Sequence, residues 1–307
     1  MADKQRANRA VSRRRFLRQG GLAMSVGAVG AVGALSASSA KEAWAQSPGQ
    51  VVIASEYAFG DGLKRIRAAK KVVFAMSGSS IPPQYYRDPQ TNQPAGYDVE
   101  VAKLIAKDLE VEPVFEEAVV AARIIGLQGG KYDIVLGGTA NKPSRALSVV
   151  FTRGYIPYQQ VLLVKSSSKV KALDELNDPK YTISCQIGAT AEFRARELFP
   201  KATIKPLQIN EAMLDVASGR AEADLVELYL AGPFAKNHPT TKILGGFEKP
   251  IVTSTEYGCL VCRPTDVAFR DWLDNWIYWY EANGRLPAMY ASIMGPAMRG
   301  ESNVQKN

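Results

Sequence analysis

Histidine is almost missing from this chain: His238 is the single one among 307 residues. It precedes a proline in a polar stretch, where a lone histidine is expected at the solvated surface rather than as a ligand or a base. No metal centre and no Ser-His or Cys-His pair is therefore expected, and no residue is given a catalytic role. Cysteine is scarce as well, at three, an odd number that cannot pair off within one chain. Cys259 and Cys262 stand three apart in the apolar run GCLVC, which reads as a strand. At about 3.3 Å per residue their Cα atoms lie roughly 10 Å apart on opposite faces, too far for a disulfide. Buried free thiols are expected, with Cys185 in the strand TISC joining them. The weakly apolar Gly/Ala/Val run from Gly20 to about Ala40 is rich in glycine and serine, which makes it a poor spanning helix. Nor is the mature chain strongly basic. Of 38 Lys/Arg and 30 Asp/Glu, eight and two fall in the first 45 positions. The 30 and 28 that remain leave a net charge near +2, no argument for a nucleic-acid partner.

Those first 45 residues carry a pattern of their own. SRRRFLR at Ser12–Arg18 holds a twin-arginine pair followed by Phe-Leu, the weakly apolar run comes next, and Ala43-Trp44-Ala45 offers small residues for cleavage before Gln46. This reads as a twin-arginine export signal over residues 1–45, cleaved near Ala45, and it places the mature protein in the periplasm, exported already folded. About 260 residues remain, enough for one large domain or two lobes of ordinary size.

Strand and helix alternate through them. GLKRIRAAKK reads as a short basic helix leading into strand Val72–Met76 and the loop SGSSIPPQYYRDPQTNQPAG. Asp98 opens an amphipathic helix with Val99, Ala102, Ile105, Ala106 and Leu109 on one face. Val111–Phe115 is extended, a helix runs into Gly129-Gly130, and a buried-type strand, Asp133–Leu136, ends in glycines at a polar loop. In open α/β sheets ligands bind at such carboxyl ends of strands. Gln160–Lys165 reads as a long extended run. A helical piece follows at Lys171–Leu176, and β-loop-α units repeat through Tyr181–Gln186, Ala191–Leu198, Thr203–Pro206, Glu211–Ser218 and Ala223–Glu227. EYGCLVCRP returns as a strand before a helix over Asp266–Asn283 and a short terminal one. In the long helix Trp272, Trp276 and Trp279 fall at i, i+4 and i+7, a single face that suits packing on a sheet better than an aromatic cofactor box.

The stretch GYDVEVAKLIAKDLEVEPVFEE together with LQGGKYDIVLGGTANKPSR resembles the family 3 extracytoplasmic solute-binding proteins, the amino-acid receptors of ABC importers. The resemblance covers nearly the whole mature chain. It implies a two-lobed α/β periplasmic binding protein-like fold of type II, each lobe a mixed sheet flanked by helices, with two crossover segments. Residues 46–163 form the first part of lobe one, 164–256 lobe two, and 257–307 the return to lobe one. It further implies a monomer without cofactor that binds a small molecule, an amino acid or related carboxylate, and docks on an ABC permease in the inner membrane.

Such a ligand needs a fixed cation for its carboxylate, unpaired N–H or hydroxyl donors, and an acidic acceptor for its ammonium. After the strand aspartate, here Asp133, the family carries a glycine or serine, two hydroxyl residues and an arginine. The matching positions are Gly138, Ala140, Lys142 and Arg145. Arg145 thereby resembles the carboxylate-binding arginine, the alternative being a surface arginine after a turn. Ala140 brings no side-chain hydroxyl, although its amide remains, and Lys142 in place of threonine adds a second cation. Either the ligand is more acidic than a neutral amino acid, or Lys142 points to solvent. Gly188, Ala189 and Thr190 match a helix-start anion site, Thr190 serving equally as a helix cap. Glu227 stands where the family places the ammonium-binding carboxylate. Ile81 and Val120 fall where many members put aromatic rings, and Arg123 is either a further ligand cation or a surface residue. Lys142 and Arg123 together tilt the reading toward an acidic or polar ligand. Two other readings use the same scaffold: an enzyme similar to the periplasmic cyclohexadienyl dehydratases, and an accessory protein of a periplasmic quinoprotein dehydrogenase.

Overall fold

A strand buried on both faces is what the apolar run KVVFAMS dictates, and in the computed structural model, which describes residues 60–301, it forms β1 (Lys71–Ser77) at the centre of the first half. The export signal, its cleavage site and the lead-in from Gln46 to Ala58 lie outside the described residues. Before β1 runs α1 (Gly60–Ala69), and after it come the two-residue strands β2 (Tyr86–Arg87) and β3 (Pro94–Ala95). Then follow α2 (Tyr97–Asp108), β4 (Glu112–Ala118), α3 (Val120–Gln128), β5 (Ile134–Ala140), the single turn α4 (Pro143–Ala146) and β6 (Val150–Lys165). The second half holds β7 (Thr182–Gln186), α5 (Thr190–Leu198), β8 (Thr203–Leu207), α6 (Ile209–Ala217), β9 (Ala223–Glu227), α7 (Leu228–Asn237) and β10 (Thr241–Ile243). β11 (Ser254–Cys262) returns to the first half, followed by α8 (Val267–Ala282), α9 (Arg285–Ile293) and α10 (Gly295–Met298).

Among the described residues nine strands join one sheet in the order β4-β1-β5-β11-β6-β9-β7-β8, with β10 on β6. β4, β1 and β5 are mutually parallel, as are β8, β7 and β9. The antiparallel strands β11 and β6 stand between these two parallel groups. β6 is long enough to serve both: Val150–Gln160 pairs β11, and Gln160–Val164 pairs β9. The fold is thus the expected mixed α/β arrangement with two segments crossing between halves. One core packs α2, α8 and the first-half sheet together with α7. Others lie on the opposite face of each half. The predicted face of α2 is fully inside, Val99, Ala102, Ile105, Ala106 and Leu109 all being buried. The three cysteines are free and buried, and Cys259 and Cys262 belong to different cores, as strand alternation requires.

Several elements differ from the sequence expectation. β5 does not end at Leu136 but continues through Gly137 and Gly138, because β11 pairs with Thr139 and Ala140. Only one 3-10 turn, Asp174–Leu176, forms where a longer helical piece was expected. The helix α7, which contains Gly232 and Pro233, was not among the expected elements. Burial of Leu228 to Gly232 holds it in place despite the proline. His238 is not a solvated loop residue. It ends α7, with Nδ1 3.0 Å from the Phe234 carbonyl and its ring stacked on Phe234 at 3.9 Å. Trp279 is 63% exposed and outside the core, whereas Trp276 is buried and Trp272 half-buried. At about 100° per residue Trp279 lies some 60° beyond Trp276, on the side away from Leu273 and Ile277.

Candidate functional site

The carboxyl ends of β1, β5, β7 and β9 meet at one cleft, where an open α/β sheet presents unpaired backbone and short loops. β1 delivers Ser77 and β5 delivers Gly138, while β7 and β9 deliver Gln186 and Glu227 from the other half. The free space is about 50 Å³. That is far below the several hundred Å³ of an ordinary ligand pocket, so an amino acid enters only if the two walls separate or side chains move.

Gly137 and Gly138 adopt consecutive left-handed conformations, with φ of 83° and 72°. A Cβ on Gly137 would stand 2.8 Å from Arg123 Nη1, and one on Gly138 would collide with the Tyr158 hydroxyl. The pair therefore lets the β5 backbone bend past two large side chains, where any Cβ would combine a disfavoured φ with a steric clash. Beyond it, the one-turn helix α4 presents Arg145. Its Nη1 donates to the Ala140 carbonyl at 3.2 Å and its Nη2 to the Gly188 carbonyl at 2.9 Å. One arginine thus ties the loop after β5 to the loop after β7. Burial lowers its pKa, partly offset by Glu256.

Of the residues named from sequence, Arg145, Thr190, Glu227, Gly138, Ile81, Val120 and Arg123 line the cleft. Ala140 and Lys142 do not. Ala140 is buried beneath the loop and offers its carbonyl to Arg145 rather than an amide to a ligand. Lys142 is held beside the cleft, its Nζ 3.1 Å from the centre of the Phe193 ring in a cation–π contact, within the fields of Arg145 and Glu256. Arg123 is a wall residue: it is 3% exposed, donating through Nε to the Ala118 carbonyl at 3.1 Å and through Nη1 to that of Gly137 at 2.8 Å. The cation surplus that tilted the sequence reading toward an acidic ligand is thereby dissolved.

The helix-start site is partly self-satisfied. The Gly188 amide donates to Glu192 Oε2 at 2.9 Å, and Ala189 rather than Thr190 is the N-cap of α5. Thr190 instead hydrogen-bonds Glu256. Glu227 is half-buried at the end of β9, and burial drives its carboxyl up to about 7, the neighbouring Glu256 pushing the same way.

Sequence reasoning missed the floor of the cleft. Gln84 Nε2 donates to Asp98 Oδ2 and to the Tyr158 hydroxyl, both at 2.8 Å, and the Tyr229 hydroxyl donates to Gln84 Oε1. Tyr155 donates to the other Asp98 oxygen at 2.7 Å. Asp98 therefore does not cap α2, as its place at a helix start suggested. It is fully buried, and burial raises its pKa to about 6 against the hydrogen bonds from Tyr155 and Gln84 and the attraction of Arg123. The aromatic residues lining it are Tyr158 and Tyr229, while Ile81 and Val120 bring no rings. Glu256, on β11, is the further carboxylate of the cleft. No local motif announced it, because its neighbours come from α5 and β6.

A larger cavity of about 720 Å³ adjoins α7, β10 and Gly245–Phe247. Of its lining cations, Lys242 Nζ is engaged with the Ser166 and Ser168 carbonyls at 3.0 Å and Lys236 with that of Gly300 at 3.3 Å.

Residues 72–296 match the bacterial extracellular solute-binding proteins, family 3. The arginine-binding extracellular protein ArtP of Bacillus subtilis (strain 168) is 26% identical over 220 residues, 71% of this chain and 83% of that protein. The ABC transporter glutamine-binding protein GlnH of the same strain is 29% identical over 197 residues, 61% of this chain and 71% of that one. Among solved structures, the ancestral amino acid-binding protein AncCDT-1, a precursor of cyclohexadienyl dehydratase, superposes with a TM-score of 0.67 at 28% identity. That match covers 76% of this chain and 98% of the other.

Proposed function

Because this chain belongs to the bacterial extracellular solute-binding proteins of family 3, we propose that it is the periplasmic receptor of an ABC importer and closes on an amino acid. The observation that carries this reading is the placement of Arg145 and Glu227 on one cleft, from opposite halves of the sheet. Arg145 takes the ligand carboxylate once it releases the Gly188 carbonyl, since a guanidinium fork matches two oxygens. Glu227 takes the ammonium. Supplying both charges together is what makes burial of a zwitterion affordable. With the ligand carboxylate in place of the Gly188 carbonyl on Arg145, the tie between the two halves runs through the ligand itself. The relatives bind arginine and glutamine by name, which supports an amino acid as the ligand class.

In this reading residues 46–163 and 257–307 make one lobe and 164–256 the other, the chain works as a monomer, and the partner is an inner-membrane permease. Residues 1–45 direct export by the twin-arginine route, with cleavage near Ala45. Mass spectrometry of the protein isolated from its own periplasm tests the ligand and the cleavage site at once. Arg145→Ala is expected to weaken binding of the retained amino acid at least about tenfold, the loss of a charge-assisted fork. An unchanged dissociation constant by calorimetry sinks the assignment.

One observation favours a second reading, an enzyme on this scaffold. A carboxyl poised near pH 7, as Glu227 is, suits general acid–base work at neutral pH. Turnover of prephenate or arogenate by the purified protein, abolished in Glu227→Gln, would decide for it.

A further inference from the structure

Glu256 is a charge that an amino-acid backbone leaves unanswered. It sits on β11 opposite Tyr158 of β6, on the side of the strand that faces the cleft, while Thr255 and Tyr257 on either side are exposed. Its carboxylate is held by hydroxyls only: Thr190, and Ser254 Oγ at 3.5 Å from Oε1. Among the described residues no ion pair joins it to a cation. Arg145 is turned to two carbonyls, and the two other cations whose fields reach Glu256 are engaged elsewhere: Arg194 with Glu197 at 3.0 Å and the Thr253 carbonyl at 3.3 Å, Lys142 with the Phe193 ring. The remaining charges of the wall balance, because buried Arg123 and buried Asp98 attract one another. What faces the ligand is thus one cation, Arg145, and two carboxylates, Glu227 and Glu256.

A zwitterion uses up Arg145 with its carboxylate and Glu227 with its ammonium. A neutral side chain then leaves Glu256 desolvated and unpaired, and an acidic one adds a like charge beside it. Both outcomes are costly in a closed cleft. A side chain ending in an ammonium or guanidinium removes the imbalance, and the rings of Tyr158 and Tyr229 along the same cleft add aromatic faces for it. We propose that Glu256 is a specificity residue that makes this cleft select amino acids with a cationic side chain. The inference rests on the receptor reading above and names its ligand class.

The experiment is calorimetry of the full mature protein with L-arginine, L-lysine, L-glutamine and L-glutamate, repeated with Glu256→Gln and Glu256→Asp, each variant's melting temperature being recorded. The wild type is expected to bind arginine or lysine at least about tenfold more tightly than glutamine. Glu256→Gln is expected to bring that ratio down by about tenfold, with Glu256→Asp keeping part of it, which a merely structural role would not do. Glutamine or glutamate bound as tightly as arginine by the wild type, or a ratio unmoved in a folded Glu256→Gln, overturns the role of Glu256 and leaves the receptor intact. Binding of none of the four overturns the receptor reading, and this inference with it.

Discussion

Glu227 illustrates how one residue's surroundings set a property of the whole protein. Burial takes its carboxyl from the usual range up to about 7, so near neutral pH it is half protonated. A ligand ammonium favours the ionised form and must displace that proton on binding. Affinity is therefore expected to be flat above about pH 8 and to fall close to tenfold per unit below about pH 7. Titrations at pH 5, 6, 7 and 8 measure this directly, and equal dissociation constants across the series would remove Glu227 from the ammonium site. At Lys142 the same scale of argument runs the other way. Its spacing relative to Arg145 puts it in the binding loop, yet the Phe193 ring from α5 captures its ammonium. Spacing along the chain registers which residues share a loop; which way a flexible side chain turns is decided by a partner distant in sequence.

Elements are placed by contacts that their own sequence does not contain. The start of β5, the start of α8 and the middle of α1 are joined by one charged cluster. Arg263, with a side chain only 10% exposed, donates to Asp133 Oδ1 at 3.0 Å, Asp266 Oδ2 at 2.9 Å and the Tyr132 carbonyl at 2.7 Å, and Arg65 joins both aspartates. Asp133 also accepts the Val73 amide. Removing the central cation leaves two buried carboxylates with one half-exposed arginine between them. Arg263→Ala is expected to cost about 3 kcal/mol or more of stability while leaving the distant cleft intact. Urea unfolding checks it, and a change below about 0.5 kcal/mol would show that the cluster is worth no more than a surface pair. Helix α8 teaches a related lesson: three tryptophans at helical spacing define a stripe, but the buried face is centred on Phe269, Leu273, Trp276 and Ile277, and Trp279 falls beyond its edge.

For the whole molecule, the cost of placing carboxyl groups inside the protein is expected to be visible in the pH dependence of stability. Asp98 is raised to about 6 and Glu227 to about 7, both by burial. Asp224, on β9, is also raised well above the usual carboxylate range, by burial first and then by repulsion from Glu227. A group whose folded pKa exceeds its unfolded value stabilises the fold fully below the unfolded value and loses that contribution as pH rises through the folded one. Unfolding free energy is therefore expected to decline between about pH 4 and pH 7, Asp98 and Glu227 each contributing on the order of 3 kcal/mol. Asp215 and Asp274, lowered by their partners, act in the opposite sense only at lower pH. Melting curves at pH 4.5 and 7.5 give the sign, and a higher melting temperature at 7.5 contradicts the burial of these groups. A bound amino acid should recover part of the loss at pH 7.5, because its ammonium pairs with Glu227.

The architecture is legible in the order of residues along the chain. Its alternation of strands and helices, the glycines after Leu136 and the spacing of Gly138, Arg145, Thr190 and Glu227 are written in local order, and each is a local physical preference repeated along the chain. The inertness of the cysteines was legible too, since strand geometry forbids the Cys259–Cys262 bridge. The balance of charge in the cleft comes from long-range packing. Lys142 was held beside the cleft, Arg123 was locked into the wall, and Glu256, Tyr158 and Tyr229 entered it from β11, β6 and α7. Those outcomes depend on which strands become neighbours, and β6 and β11 meet across about a hundred intervening residues. Net charge at a site is a sum over such neighbours, so no window of sequence contains it.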